Sequence, residues 1–388
     1  MGKSLKKRYV IISGFNIRDN NRGTAALSYG SVSFLCQHGW LNEEHTLLNI
    51  RPIKNPFKKK NKNRTETIAV DDKRWMHETF CVSYWEYYLF VRYSFRLPFS
   101  RFIKKLKKID CVAAINGGDG FSDIYNTKTF IGRLREINIA IANGIPLILL
   151  PQTLGPFKQR GNMEVATRIL QYAKKVYVRD DKFIGELKRM GVEYEKTNDL
   201  SYYMKPEPWD IQLISNSIGI NVSGLTYSNK FHSLEGLFEN YPALISELIE
   251  RFTNMGQTVY LIPHSYNYHN PESNNDDLQA CRAVYASLEQ KERVVLIDKD
   301  MTSPQVKYLI SQMSFFVGTR MHACFAAIYT NIPVFGLAYS YKFKGGFESC
   351  GLDGEALTAD INNISQNEIR SIVEKILETY QLYKDSIL

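Results

Sequence analysis

Short, nearly uninterrupted apolar runs recur along this chain, at residues 9–13, 46–50, 111–115, 146–150, 176–178, 218–222, 259–262, 294–297, 315–317 and 334–336. A strand with one wet face alternates apolar and polar residues. A run without that alternation is covered on both faces, as strands of a parallel sheet are when helices pack on either side. Helix signals fill the intervals. Asn240 with Pro242 opens a stripe of Ile245, Leu248, Ile249 and Phe252 that Gly256 closes. Ser303-Pro304 opens a second stripe, with Val306, Leu309, Ile310 and Met313 inward, and Ser365 with Glu368 forms a capping box for a C-terminal helix. Strands alternating with helices predict an α/β fold. A chain of 388 residues outgrows the usual single core, so two domains are expected. Pro206 and Pro208 disfavour both helix and sheet, and place the boundary between domains 1–207 and 208–388. Two doubly wound domains facing each other would leave a cleft at the carboxyl ends of both sheets.

Residues 52–108 break the rhythm. They hold Lys58, Lys59, Lys60 and Lys62, then the aromatic stretch SYWEYYLFVRYSFRLPFSRF over residues 83–102, then Lys104, Lys105, Lys107 and Lys108. One reading is a solvated insertion with a helix packed on the N-terminal domain. The other is contact with an anionic membrane surface, where aromatic rings flanked by cations sit well. The whole chain carries a net charge of +9, which favours anionic partners. No basic RNA-binding motif appears and the charge is concentrated in one segment, so nucleic acid is not an expected partner. The apolar share of 44% and charged share of 23% exclude disorder, a collagen-like chain and a disulfide miniprotein. The basic start before residues 9–12 lacks the long apolar core of a signal peptide and reads as the entry to a first strand. The six cysteines are scattered without a CxxC pair, which fits a reducing cytoplasmic setting and no metal site.

The chemistry gathers at strand ends. After the run 315–317, Gly318 turns the chain and Arg320 and His322 fall at the start of a helix. Backbone N–H groups there favour an anion, Arg320 adds a planar cation, and imidazole exchanges protons near neutral pH. Tyr339, Lys342 and Lys344 follow the next strand. Asn221 and His264 end two neighbouring strands, and Arg179 ends another. The loop residues Asn21, Asp119, Asp123 and Gln152 stand at further strand ends of the N-terminal half. No GxGxxG or P-loop pattern occurs.

These segments, NNRGTAAL (20–27), INGGDGFSD (115–123), LLPQTLGPF (149–157), VYVRDD (176–181), INVSG (220–224), VGTRMHA (317–323) and YSYK (339–342), resemble the polysaccharide pyruvyl transferase family over roughly residues 10–352. Two positions depart from the pattern: Thr24 stands where the family usually has an acid, and Gly-Gly-Asp-Gly replaces a Gly-Gly-Gly run. The resemblance implies a GT-B-like fold of two Rossmann-like domains facing a cleft, and transfer of pyruvate from phosphoenolpyruvate, as co-substrate and without a cofactor, to a sugar of a surface polysaccharide or its polyprenyl-diphosphate-linked precursor, as a cyclic ketal. It implies His322, Arg320 and Lys342 as catalytic residues. It carries Arg179, Arg320, His322 and Lys342 over to the family's key donor-site positions, and the strand-end reading adds Lys344, His264, Asn221 and Tyr339 around the donor and Asn21, Asp119, Asp123 and Gln152 around the acceptor. The enzyme would work in the cytoplasm, either free or peripheral on the inner membrane face. The competing enzyme class is a GT-B glycosyltransferase with a nucleotide-sugar donor, which would use the same cations on phosphates.

Overall fold

The computed structural model describes residues 7–55, 57–58, 61–340 and 342–387, with the backbone alone for residues 233, 342, 386 and 387. The chain forms two compact units. One runs up to Asn16 and again over Leu27–Met204; the other comprises Ile17–Ala26 and the chain from Lys205 onward. The helix Arg22–Gln37 therefore has its first turn in the second unit, and the segment carrying Asn21 and Arg22 belongs with the C-terminal half.

The first unit is built on β1 (Arg8–Ser13), β2 (His45–Ile53), β3 (Arg64–Val70), β4 (Lys73–Ser83), β5 (Ile109–Ala114), β6 (Leu147–Gln152), β7 (Lys175–Val178) and β8 (Glu195–Lys196). Their order in the sheet is β3-β4-β2-β1-β5-β6-β7-β8, and only the β3–β4 pair is antiparallel. The region that breaks the sequence rhythm is thus partly sheet. β4 lies parallel to β2 over the full register Leu47↔His77 to Ile53↔Ser83 and takes the third-strand place of a doubly wound sheet. Its run of buried polar residues hides it from a hydrophobicity reading: His77 meets Glu66 at 3.1 Å, and Glu78 accepts from Lys7, Lys105 and the Tyr9 hydroxyl. Paired polar groups are tolerated in a core where unpaired ones are not.

The second unit carries β9 (Ile218–Asn221), β10 (Val259–Leu261), β11 (Val294–Leu296), β12 (Phe315–Gly318), β13 (Val334–Ala338) and β14 (Thr358–Asp360), all parallel, in the order β11-β10-β9-β12-β13-β14. Counted within the unit this is 3-2-1-4-5-6, the doubly wound order whose chain reverses direction between strands one and four. The helices Tyr241–Asn254 and Gln366–Ile387 cover one face with Leu244, Leu248, Phe252, Ile369 and Val373. Ser365 and Glu368 cap the latter helix as expected, whereas the Ser303–Ser311 helix is capped one residue earlier, by Thr302 with Gln305. The two-unit Rossmann-like α/β architecture predicted from the sequence is the one observed.

Candidate active site

In the second unit the reversal of strand order falls between β9 and β12, where the register pairs Asn221 with Gly318. Helices leave opposite faces of the sheet at such a point and open a crevice beyond the carboxyl ends. Gly318 must be glycine because a Cβ would stand 2.5 Å from Cys324 Sγ. The chain then turns through Thr319, whose hydroxyl meets Tyr241 at 2.8 Å, into Arg320, the N-cap of the helix Met321–Ile328. His322 lies in the first turn, half-buried, with its ring edge-on to Phe325.

Arg320 is held on every side. Asn221 Oδ1 accepts from its backbone N–H at 2.9 Å. Its Nε and Nη2 donate to Asp277 Oδ1 at 3.1 and 2.7 Å, and Nη2 also donates to Asn275 Oδ1 at 2.6 Å. Burial alone would disfavour the guanidinium charge, but the adjoining Asp277 carboxylate reverses that and holds Arg320 protonated more firmly than usual, with Tyr339 contributing. Asp277 itself is 0% exposed. It also accepts the backbone N–H of Gly224 (2.8 Å), Ser265 (2.8 Å) and His264 (3.1 Å), and the Asn221 amide at 3.3 Å. One carboxylate therefore ties together the ends of β9 and β10 and the cation after β12. Gly224 makes this possible, since a Cβ there would lie 2.3 Å from the Asp276 backbone.

His264 is buried beside this cluster. Burial holds its imidazole well below the ordinary histidine range, and neighbouring His322, Arg320 and Arg22 push the same way, so it is a neutral ring. The segment 17–26 closes the floor. Arg22 donates to Met301 O at 2.7 Å and Asp300 at 3.1 Å and stacks 4.3 Å above the Tyr266 ring. Ser303 Oγ donates to Arg22 O at 2.6 Å, and Arg22 N donates to His264 O at 3.0 Å. This seats Gly23 directly on His322: a Cβ on Gly23 would come 2.7 Å from His322 Cβ.

The structure thus brings Arg320, His322, His264, Asn221 and Tyr339 together, and gives several of the expected ligand residues other work. Asn221 is fully buried and holds backbone: its amide donates to Ile262 O at 3.0 Å and its oxygen takes the Arg320 N–H. Asn21 caps the helix Arg22–Gln37 by accepting Gly23 N at 2.9 Å. Lys344 is exposed and ion-paired with Glu355. Lys342 opens the helix Lys342–Ser349, and its side chain lies outside the described part, as does Tyr341.

Within the first unit, Arg179 follows β7 and is pinned by Asp199 at 2.5 Å and Thr153 Oγ1 at 3.0 Å; despite burial, Asp199 keeps its charge firmly in place. Gly118, at φ +84°, leaves room for it. Asp119 accepts the Tyr125 hydroxyl at 3.0 Å. Gln152 and Asp123 both hold backbone of their own unit. Gln152 is wholly buried, donating to Ala114 O at 2.8 Å and Leu150 O at 3.1 Å and accepting from Asn116 at 3.3 Å. Asp123 staples a loop: its oxygens take Lys158 N (2.8 Å), Gln159 N (2.9 Å) and the Asn162 amide (2.9 Å). Both side chains are engaged in several hydrogen bonds inside the unit. Asp277, Asn275, Arg22 and Asp199 are the residues that sequence reasoning did not single out. Asp276-Asp277 ahead of an apolar stripe is an ordinary helix-start signal, and nothing local distinguishes it from one. Among the described residues no group of three or more His, Cys, Asp or Glu is placed to hold a metal ion.

Two units with doubly wound, mostly parallel sheets define the fold, with cationic and imidazole groups at the strand-order reversal of the second. The chain is similar in structure to UDP-GlcNAc 2-epimerase from Neisseria meningitidis, solved with UDP-GlcNAc, at TM-score 0.51 and 13% identity over 98% of this chain and 93% of that one. It is similar to the UDP-GlcNAc 2-epimerase of Methanocaldococcus jannaschii at TM-score 0.53 and 10% identity, over 97% and 92%. These likenesses concern the fold. No curated protein sequence matches the chain. The model of the polysaccharide pyruvyl transferase family matches residues 21–341, and the chain belongs to that family. It is accordingly a transferase with a saccharide acceptor.

Proposed function

We propose that this enzyme transfers the pyruvyl group of phosphoenolpyruvate to a sugar of a capsular or extracellular polysaccharide, or of its polyprenyl-diphosphate-linked precursor, and that it does so on the cytoplasmic side of the membrane. The observation that carries the reading is the placement of His322 two residues beyond Arg320 of the buried Arg320–Asp277 pair, at the strand-order reversal of a family member.

The donor carries a carboxylate and a phosphate. A guanidinium fixed by Asp277 presents a preorganised cation for one of them, and the first N–H groups of the helix Met321–Ile328 favour the same charge. Lys342, at the next strand end, is the second cation by the family resemblance. The reaction requires a proton on the methylene carbon C3, and a sugar hydroxyl oxygen bonding to C2 while its own proton is removed. The C2–O bond to phosphate then breaks with its electron pair, phosphate leaves, and a second sugar hydroxyl closes the ketal as it loses its proton. Two protons are given, one to C3 and one to the departing phosphate oxygen, and two are taken from the sugar hydroxyls, so a group that starts protonated and cycles between acid and base ends as it began. His322 fills that role; His264, held neutral beside it, keeps a second positive charge away from the ring.

Phosphoenolpyruvate labelled in its three carbons tests the reading. Transfer of label to a saccharide with release of phosphate is expected. Turnover of a nucleotide-sugar with no transfer of that label would replace it with glycosyl transfer.

A further inference from the structure

The helix Tyr84–Tyr93 has two faces of opposite character. One anchors it to the first unit: Phe90 is fully buried edge-on against Phe102, and the Tyr87 hydroxyl donates to Arg135 O. The other face is a patch of exposed rings. Tyr84, Trp85 and Tyr88 lie 6.2 to 6.4 Å apart, and Tyr93 continues the set 6.1 Å from Tyr88. Trp85 is 70% exposed. Beyond the helix every residue to Phe99 is exposed, and Phe95, Leu97 and Phe99 project there, the last with 90% of its surface in water. An open groove of about 470 Å³ adjoins this stretch, lined by Val82, Ser83, Leu97, Phe99 and Phe102. Isolated exposed apolar residues are ordinary, but a contiguous set of this kind marks a surface that is covered in use.

Cations dominate the charge on this face. Exposed Arg92, Arg96, Arg101 and Lys104 interleave with the rings, Lys54 stands 5.6 Å over Tyr84 and Arg92 5.8 Å over Tyr93. Glu86 is the one acid between residues 84 and 108, and it is hydrogen-bonded to Ser100. Of the lysines expected to form the basic cluster, Lys58, Lys62, Lys104, Lys107 and Lys108 are exposed. Lys59 and Lys60 lie outside the described residues, and Lys105 turns inward to Glu78 and the Tyr9 hydroxyl.

We propose that this face docks on an anionic lipid bilayer, with Trp85, Tyr93, Phe95 and Phe99 at headgroup depth and the arginines on lipid phosphates. Aromatic tips interleaved with cations and free of exposed carboxylates match a headgroup layer, in which rings settle at the interface and basic side chains meet the negative surface potential. Among the described residues no helix is long and apolar enough to cross a membrane, so the attachment is peripheral. Its purpose, meeting a membrane-borne saccharide, rests on the function proposed above; the docking does not.

Co-sedimentation of the full chain with vesicles tests it, using phosphatidylcholine alone and phosphatidylcholine with phosphatidylglycerol, at low and high salt. Binding to the anionic vesicles that weakens with salt is expected. Trp85→Ala with Phe99→Ala, both too exposed to support the core, should lower partitioning about tenfold or more while the salt dependence persists. Arg92→Gln with Arg96→Gln should lower it and flatten the salt dependence. Thermal melts of both variants should match the parent. Absence of binding to anionic vesicles, or equal binding by the parent and both variants, overturns the proposal. So does a parent dimer that the Trp85/Phe99 variant dissociates, since the occupant is then a second copy. Pyruvyl transfer to a soluble acceptor, measured separately, reports on the catalytic reading alone.

Discussion

Replacing Asp277 with Asn removes one charge from the centre of the second unit. The carboxylate accepts from the Arg320 guanidinium, from three backbone N–H groups and from the Asn221 amide, and no part of it is exposed. An amide of the same size offers one oxygen for these donors and turns an NH₂ toward the rest. Stranding one partner of a buried ion pair costs about 3–5 kcal/mol. Each buried N–H left without an acceptor costs about 1–3 kcal/mol more, but these groups share one network and their losses do not add. About 4 kcal/mol is therefore a working figure, out of the roughly 5–15 kcal/mol that holds a domain together. At about 2–4 °C per kcal/mol for a unit of this size, the transition of the second unit should fall by roughly 8–16 °C. A screened surface pair, worth about 1 kcal/mol at most, would shift it by no more than about 4 °C, so calorimetry separates the two cases. Arg320→Gln in the same chain supplies the control. With the charge gone, the double variant should be less destabilised than the sum of the single ones. A melt within about 4 °C of the parent, or strict additivity of the pair, refutes the view that Asp277 is the counter-charge on which the site is built.

His322→Ala should lower turnover about 10²–10⁴-fold in a chain whose melt is unchanged, measured by phosphate release; near-parental turnover removes His322 from proton transfer. Gly23→Ala gains up to about 1 kcal/mol of helix propensity but forces a methyl against the immovable His322 Cβ, an overpacking cost of about 1–3 kcal/mol. The net effect should be a lower melting temperature together with reduced turnover, and a more stable, fully active variant would contradict the geometry. His264 ties stability to pH. Its folded-state pKa lies below the unfolded value near 6.5, so the unfolded chain binds the extra proton; stability is fully present above that pH and is lost as pH falls from it toward the folded value, by up to about 1.4 kcal/mol per unit. Denaturant titrations at pH 7.5, 6.5 and 5.5 should show this slope in the parent and a shallower one in His264→Asn.

The alternation of apolar runs with amphipathic stripes is a local property, and it determined the strands of both sheets apart from β3, β4 and the two short edge strands β8 and β14. It also placed Arg320 and His322 at a strand end, because a Gly–Thr–Arg turn after a buried strand leaves few other arrangements. β4 escaped because its buried His77 and Glu78 are acceptable only with partners that pairing across the fold supplies. The same cause separates the expected ligand residues from the observed scaffold. Gln152, Asp123 and Asn221 are polar residues at strand ends, and a sequence does not say whether such a group faces a substrate or a carbonyl of its own chain. The partners that decide it lie far along the chain: Asp277 is 43 residues from Arg320, Asn221 is 99 residues from it, and Arg22 reaches Met301 across 279. Apolar burial is set by a residue's own character and its neighbours at helical or strand spacing. Ownership of a hydrogen bond is set by which backbone arrives beside it, and only the tertiary structure brings Gly23 onto His322 and a single carboxylate beneath Arg320.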